Sequence, residues 1–439
     1  MDADRVDGSS VEDMASAIAE GRYQAIGEIL EAAVVRGERR WTYTDIFDHV
    51  FLSRSLGIPI FLTLLWAVFA FTFALSEPLM IIIEEVFGAL GGIAGAGISN
   101  PQVASFVAGG VFGGLGSVLV FVPPIFLLFF ALSILEDSGY MARAAFVMDR
   151  LMQSLGLHGR SFIPMMVGFG CSVPAIMAAR SIEGEKDRLI TTLVIPLISC
   201  GARLPVYILI AGAIFGARYA GTAIFSIYLL GVALAIIMAL IFRRTLLKGE
   251  PSPFILELPA YAVPRAKTTV LHMWARGKWF LIRAGTIIFG TVVIVWFLAA
   301  HPWEATAGGE VIENSYIAII GHGLEPLVRP FGWDWMAAVA LLFGLLAKEV
   351  VVGTYGILLG VEEGALGESL VALGLFTPLT GFAFMAFVLI YVPCIATIAT
   401  IFRETNSYRW AAFATAYLII LAFVVSGLII AIGGLLGFS

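Results

Sequence analysis

Long apolar runs separated by short polar segments dominate this chain from residue 57 to its end. Crossing the hydrocarbon core of a bilayer takes roughly 20 helical residues, and several of the runs reach that length. We therefore predict an all-α polytopic membrane protein. The predicted spans and apolar stretches lie at about 57–76, 117–135, 188–217, 220–242, 281–300, 335–360, 373–400 and 410–437.

The composition supports this class and narrows the choice of partners. Of the 439 residues, 60% are hydrophobic and 13% are charged, whereas a soluble domain carries about 25% charged residues. The net charge of −6 gives no basis for binding nucleic acid, and membrane lipid is the partner that the apolar runs require. All three cysteines lie in apolar stretches, so no disulfide framework is indicated.

The polar N-terminal segment, residues 1–55, is predicted to be helical and cytoplasmic. Residues 11–35 have the periodicity of an amphipathic helix. Residues 44–52 are predicted to form a second short helix, with Thr44 as a candidate N-cap. A solvated tail without these helices is the alternative.

Basic residues set the expected orientation, because loops rich in Lys and Arg face the cytoplasm. No Lys or Arg occurs between Arg54 and Arg143, so residues 56–116 are predicted to form a first span and an outward-facing segment. Residues 244–280 are a basic loop, expected to be cytoplasmic, whose charge either sets topology alone or also contacts anionic lipid. The protein is thus expected to be multi-pass with a cytoplasmic N-terminus.

Helix-breaking residues interrupt the apolar sequence within 161–207 and again at 391–394. We predict a re-entrant hairpin over 161–180 and a break near 199–205 in the span that follows. Backbone groups freed in lipid need partners inside the protein or in a cavity, so broken segments point to a transport site. The breaking residues expected to line the path are Gly170, Pro174, Gly201, Pro205 and Pro393.

Two of the broken segments share a sequence pattern. VPAIMAARS at 173–181 and VPCIATIATIFRET at 392–405 each combine Val-Pro, a short apolar run and an arginine. The pattern predicts two structural repeats, residues 117–243 and 281–439, of inverted topology. A chance match of Val-Pro followed by alanines is the alternative.

The candidate metal ligands lie at or near these breaks. Each cysteine adjoins a Gly or Pro, although a free cysteine is also commonly a small buried hydrophobe. Thiols combined with carboxylate or carbonyl oxygen suit a borderline ion such as Fe²⁺. Lys348 and Glu349 lie inside an apolar run, where on a helix they would point about 100° apart, so each needs its own partner. For Glu349 the alternatives are a cavity-facing ligand and a structural ion pair. The predicted ligands are Cys171, Cys200, Cys394, Glu349, Glu136 and Ser199.

Sequence motifs give no support for catalysis. Neither a G-x-x-x-x-G-K-S/T loop nor an H-E-x-x-H motif occurs, so hydrolysis of nucleotides or peptides is not expected. We expect that the chain is not an enzyme and binds no nucleotide.

Several segments resemble the FeoB-type ferrous iron transporters. The stretches LEDSGYMARAAFVMDRLM, SFIPMMVGFGCSVPAIMAARSIEGEKDRL and PLISCGARLPVY, within 135–207, resemble that family's first gate region. LLAKEVVVGT at 345–354 and YVPCIATIATIFRET at 391–405 resemble its second, and RSLGIPIFL at 54–62 resembles the start of its first span. The resemblance implies Fe²⁺ uptake across the cytoplasmic membrane of a prokaryote. The family's gate cysteines carry over onto Cys171, Cys200 and Cys394.

The resemblance also implies partners. The family usually carries an N-terminal G-protein domain and a helical spacer, but here EGRYQAIGEIL and TYTDIFDHVFLSR resemble only the tail of that spacer. A GTP-binding domain acting in trans, as a separate polypeptide, and a chain trimmed to its membrane part are the alternatives. A small FeoA-like protein and a second copy of the chain are further expected partners.

A secondary transporter of an organic solute such as a nucleoside is the competing function. Its repeats and broken helices would look much the same. It differs in one expectation, because solute binding would be indifferent to the thiols.

Overall fold

The computed structural model describes residues 18, 21–30, 33, 43–53, 56–154, 157, 159–182, 184–248, 260–302, 315–361 and 363–437. The chain divides into two compact units, residues 1–49 and 50–439. In the first unit residues 21–30 are helical, and the rest of the predicted helix over 11–35 lies almost wholly outside the described residues. Helix α1 (Tyr43–Phe51) contains Thr44, so the predicted N-cap is wrong.

The second unit is built from helices, several of which are separated by short non-helical breaks. No strand occurs among the described residues, and six helical stretches within them are long and apolar enough to cross a membrane. The predicted all-α polytopic class is therefore confirmed. The helices are α2 (Gly57–Ala96), α3 (Pro101–Ser105), α4 (Gly113–Val120), α5 (Val122–Asp137), α6 (Tyr140–Ser154), α7 (Phe162–Gly168), α8 (Ser172–Ala178), α9 (Glu185–Val194), α10 (Leu204–Thr245), α11 (Ala266–Ala300), α12 (Tyr316–Val328), α13 (Trp335–Phe343), α14 (Val350–Leu359), α15 (Glu363–Ala372), α16 (Pro378–Ile390), α17 (Ile395–Thr405) and α18 (Tyr408–Leu435).

Helix α2 is twice the length predicted for the first span. Its 40 residues extend about 60 Å at 1.5 Å per residue and continue past residue 76, where the sequence prediction ended. The glycine-rich segment that follows is helical as well and returns alongside α2 through α3, a π-helical turn and α4. A Cβ at Gly91 would lie 3.3 Å from the Ala108 carbonyl, so small residues let the two helices approach closely.

Helix α11 begins earlier than predicted. The expected loop over 244–280 gives way to helix at Ala266, shortly after Pro264. Lys and Arg are good helix formers, so a basic segment does not by itself mark a loop. The charge pattern predicted a side of the membrane but not the local conformation.

Four breaks interrupt the apolar helices. In the first half, α7 and α8 pack against each other on either side of residues 169–171, in the form expected of the predicted hairpin. The predicted break near 199–205 is also present, because residues 195–203 separate α9 from α10. In the second half, 344–349 separates α13 from α14 and 391–394 separates α16 from α17.

The core lies around α16. Its residues 383–390 are at most 5% exposed, and the helix packs against α10 and α18. Helix α10 is kinked at Gly216, where φ is +66°, a value that glycine adopts without steric cost. The kink divides it into the two predicted spans.

Candidate functional site

All four breaks reach one cavity of about 610 Å³, which we call the thiol cavity. Helices α2 and α5 supply most of the remaining wall. Breaks from four different helix pairs therefore open onto a shared space. Their contributions are Gly170 and Cys171, Cys200 to Arg203, Leu346 to Glu349, and Pro393 with Cys394. Leu204 and Pro205, at the start of α10, also line the cavity.

The three cysteines hold equivalent places in the chain. Cys171 directly precedes α8, Cys394 precedes α17, and Cys200 precedes a short 3₁₀ turn at Gly201–Arg203. Each thiol is half-buried and unoxidised. The Cys394 Sγ lies 3.2 Å from the hydroxyl of Thr397, one turn into α17. The chain breaks thus place each sulfur at a helix start and on the cavity wall.

The two breaks of the first half are joined by a backbone hydrogen bond, and one arginine holds the second break together. The Gly201 N–H donates to the Gly170 carbonyl at 3.1 Å. Arg203 is 1% exposed, and its guanidinium donates to the carbonyls of Ile198 and Pro196 at 3.0 and 3.1 Å. This side chain therefore satisfies carbonyls that the break has released from helical hydrogen bonding.

The breaks of the second half are joined by Lys348. Its Nζ donates to the Val392 carbonyl at 2.6 Å and lies 3.1 Å from the centre of the Tyr391 ring. Lys348 and Glu349 lie in a break rather than within a helix, which corrects the helical geometry assumed for this pair. Lys348 has a backbone partner, and Glu349 lines the cavity; no ion pair of Glu349 occurs within the described residues.

Most of the predicted site residues meet in the thiol cavity. Pro174, Glu136 and Ser199 are not part of its lining. Ser199 is buried with its hydroxyl 3.2 Å from that of Tyr207, and Glu136 is exposed at the last turn of α5. The residues brought together are Cys171, Cys200, Cys394, Glu349, Gly170, Gly201, Pro205 and Pro393.

The sequence prediction missed two acidic residues of the wall. Glu77 and Glu84 on α2 both line the cavity, together with Met80 between them. Seven residues make almost two full helical turns, so the two carboxylates share one face about 10 Å apart. The signal was this spacing, but the predicted first span ends at residue 76, so both acids fall in the predicted outward-facing segment.

The ligand arrangement is dispersed rather than closed. Within the described ranges, no group of three or more His, Cys, Asp or Glu side chains is spaced to hold a metal ion. A structural metal site encloses its ion with four close ligands. The thiol cavity instead has both soft sulfur and hard oxygen among its lining residues, a donor set suited to a borderline divalent ion.

Comparison with known families gave two matches. A model described as "Gate: Nucleoside recognition" matches residues 118–214 and 281–408. A model described as "Ferrous iron transport protein B C terminus" matches residues 224–276. The matched segments include all four breaks.

Curated relatives cover nearly the whole chain. The Fe(2+) transporter FeoB of Methanocaldococcus jannaschii is 47% identical over 95% of this chain and 63% of its own length. FeoB of Staphylococcus aureus is 41% identical over 91% of this chain and 60% of its own length. The Fe(2+) transport protein A/Fe(2+) transporter FeoB fusion protein of Porphyromonas gingivalis is 40% identical over 96% of this chain and 55% of its own length. The chain thus spans 55–63% of the length of these relatives. Comparison with solved structures gave no match.

Proposed function

Since this chain belongs to the FeoB family of ferrous iron transport proteins, we propose that it conducts Fe²⁺ across the membrane through the thiol cavity. It is a multi-pass membrane protein. Fe²⁺ is the transported substrate in this proposal, and the side chains of the cavity are its temporary ligands.

One observation carries the proposal: three thiols and the Glu349 carboxylate, contributed by four separate breaks, line a single cavity. Cysteine sulfur selects softer ions and carboxylate oxygen selects harder ones, so a mixed set suits Fe²⁺. An organic solute would have no use for three thiols on the same wall. The proposed ligands are Cys171, Cys200, Cys394 and Glu349.

The dispersed placement of these ligands also favours passage over storage. Conduction requires binding that is strong enough to admit an ion and weak enough to release it. Because the donors are spread over the wall, the ion exchanges one or two ligands at a time as it moves. Glu136 and Ser199 do not line this cavity, so the proposed Fe²⁺ path through it does not require them.

The orientation we propose places the N-terminus in the cytoplasm. The basic residues cluster at the end of α10 and at the start of α11, on either side of residues 249–259, and basic loops face the cytoplasm. Fe²⁺ would then enter from the opposite side, where α2 carries its acidic residues. The proposed location is the cytoplasmic membrane of a prokaryote.

We propose three protein partners in addition to lipid. A GTP-binding domain and a small FeoA-like protein would act on the cytoplasmic side, and a second copy of the chain would pack in the membrane. One relative is named as a fusion of transport protein A with FeoB, which supports the second of these. This chain itself is proposed to bind no nucleotide and to catalyse no reaction.

Replacing Cys171 or Cys394 by serine is expected to weaken Fe²⁺ uptake into proteoliposomes. Serine keeps the shape but loses the soft donor, so the half-saturating Fe²⁺ concentration should rise about tenfold, equivalent to about 1.4 kcal/mol. Uptake of Mg²⁺, which prefers oxygen ligands, is the matched control and should not respond. Wild-type Fe²⁺ uptake by both folded variants would contradict the role of the thiols.

The same vesicles separate iron from the nucleoside alternative that the description of one family model raises. A labelled nucleoside is offered to the wild-type protein and to Cys171→Ser. Thiol-independent nucleoside uptake, with no uptake of Fe²⁺, would replace the iron proposal. If the wild-type protein takes up neither Fe²⁺ nor nucleoside, adding a G domain with GTP tests whether it lacks only its partner.

Neutralising Glu77 and Glu84 together, by Gln, is expected to reduce Fe²⁺ uptake at subsaturating concentration about tenfold at low salt. Acidic groups at a cavity raise the local cation concentration, and added salt screens that effect. Glu85→Gln is the control, because Glu85 is exposed on the same helix but does not line the cavity. Equal uptake by Glu77→Gln/Glu84→Gln and Glu85→Gln would exclude an electrostatic role for this wall.

A further inference from the structure

Helices α8 and α17 lead away from the thiol cavity side by side. Each begins directly after a cavity cysteine, Cys171 or Cys394, and the two helices pack against each other. Cavity ligands alone do not give the ion a way out. The contact between these two helices is therefore where the path proposed above would continue.

One face of α17 is polar and largely buried. Thr397 and Thr400 are 1% and 4% exposed, and the Glu404 side chain is 9% exposed. Spacings of three and four residues place all three side chains on the same side of the helix. Threonine hydroxyls in membrane helices commonly bond back to the preceding turn, as Thr400 does to the Ala396 carbonyl at 2.7 Å. A buried carboxylate at the end of the row is not explained in that way.

Glu404 is held by an arginine from the other half of the protein. The Arg180 Nε and Nη2 donate to the two carboxylate oxygens at 2.5 and 2.6 Å. These hydrogen bonds and, to a smaller extent, the negative charge of Glu404 raise the pKa of Arg180 above its ordinary value. Arg180 lies just after α8, and its side chain is 59% exposed. The pair thus joins the far ends of α8 and α17.

The ion pair lies at the basic end of the protein. The Arg160 Nη1 donates to the carbonyl of Ser181, next to Arg180, at 3.4 Å. Lys186 Nζ, six residues after Arg180, donates to the Lys248 carbonyl at 2.8 Å, at the start of the basic segment. This end is the one for which we propose the cytoplasmic side.

We propose that the polar face of α17, formed by Thr397, Thr400 and Glu404, is the exit route of the divalent cation, and that Arg180 closes it by occupying Glu404. The inference rests on the proposed function. Hydroxyl and carboxylate oxygens would take over the ion from the thiol of Cys394, whose sulfur already lies 3.2 Å from the Thr397 hydroxyl. The cation and the guanidinium compete for the same two carboxylate oxygens, so arrival of the ion at Glu404 releases Arg180.

A purely structural role predicts a different behaviour of the pair. Salt bridges with an exposed partner contribute little to stability, so removing a purely structural Arg180–Glu404 pair would change little. A closing pair instead controls access to the cavity from the basic side. Access can be measured on the thiol of Cys394 without any iron.

The test measures the rate at which a membrane-impermeant maleimide, applied to the basic side of proteoliposomes, labels Cys394. The background carries Cys171→Ser and Cys200→Ser, so that one thiol is reported. Arg180→Gln should raise the labelling rate at least about tenfold. This corresponds to a loss of about 1.4 kcal/mol in the free energy that favours the closed state over the open one. Arg403→Gln is the matched control, because Arg403 is exposed and adjoins Glu404 in the chain, and it should label at the parent rate.

Exchanging the two charges, by Arg180→Glu with Glu404→Arg, should restore slow labelling. An unchanged rate in Arg180→Gln, or fast labelling in the exchanged pair, would overturn the closure. Fe²⁺ uptake is measured in parallel in vesicles of the cysteine-intact protein. Labelling that responds as expected, with no iron uptake even after a G domain and GTP are added, would reject the proposed substrate and leave the closure standing. Iron uptake combined with an unchanged labelling rate in Arg180→Gln would reject the closure alone.

Discussion

Replacing Arg203 by methionine is expected to lower the free energy of unfolding by about 3–6 kcal/mol, since each hydrogen bond to a charged group contributes about 1.5–3 kcal/mol. The guanidinium satisfies the carbonyls of Ile198 and Pro196, which the break has removed from helical pairing. Methionine fills much of the space but donates nothing. Denaturant or thermal unfolding in detergent micelles measures the loss.

Arg244→Met is the matched control for this experiment. Arg244 is exposed near the end of α10, and surface substitutions usually change stability by less than about 0.5 kcal/mol. Equal stability of Arg203→Met and Arg244→Met would show that Arg203 does not hold the break together. Labelling of Cys200, three residues away, would report whether the break itself has opened.

Replacing Lys348 by methionine is expected to cost about 1–3 kcal/mol, the usual penalty for leaving a buried carbonyl unsatisfied. The carbonyl concerned is that of Val392, which now accepts from the Lys348 Nζ at 2.6 Å. Because Val392 lies two residues before Cys394, we also expect the thiol to lose its fixed position. Unfolding and the maleimide labelling rate of Cys394 both check this.

Lys267→Met serves as the control, because Lys267 is exposed in the first turn of α11. Only Lys348→Met should alter the reactivity of Cys394. A loss of stability without any change in that reactivity would mean that Lys348 supports the fold but not the site.

Much of the site could be predicted from local sequence. Prolines and glycines around Cys171, Cys200 and Cys394 mark three of the four breaks, since they cannot continue a helix without cost. The break at 344–349 carries a single glycine and was missed. At Gly344 a Cβ would lie 2.3 Å from the Tyr391 hydroxyl oxygen, a constraint that arises only when residues far apart in the chain meet.

Long-range contacts were beyond the reach of the sequence. Arg180 and Glu404 are 224 residues apart, and the local sequence around each residue does not indicate that the two are in contact. The acids of α2 were visible, but hydropathy ended the span before them, whereas close packing against the glycine-rich return continues the helix. Charge and hydrophobic periodicity predict the conformation and exposed face of a single helix. The ion pair and the extension of α2 depend instead on how two helices pack together.

Among the described residues, the hydrogen bonds that join two breaks each lie within one half of the protein. Gly201 binds Gly170 in the first half, and Lys348 binds Val392 in the second. If the two predicted repeats rock against each other, as in other transporters built from repeats, we expect the spacing of Cys171 and Cys200 to be kept, and likewise that of Glu349 and Cys394. The distance that would change is the gap between these two pairs of proposed ligands. In the proposed Fe²⁺ path, the movement that exposes the ion to the other side would then also loosen its coordination.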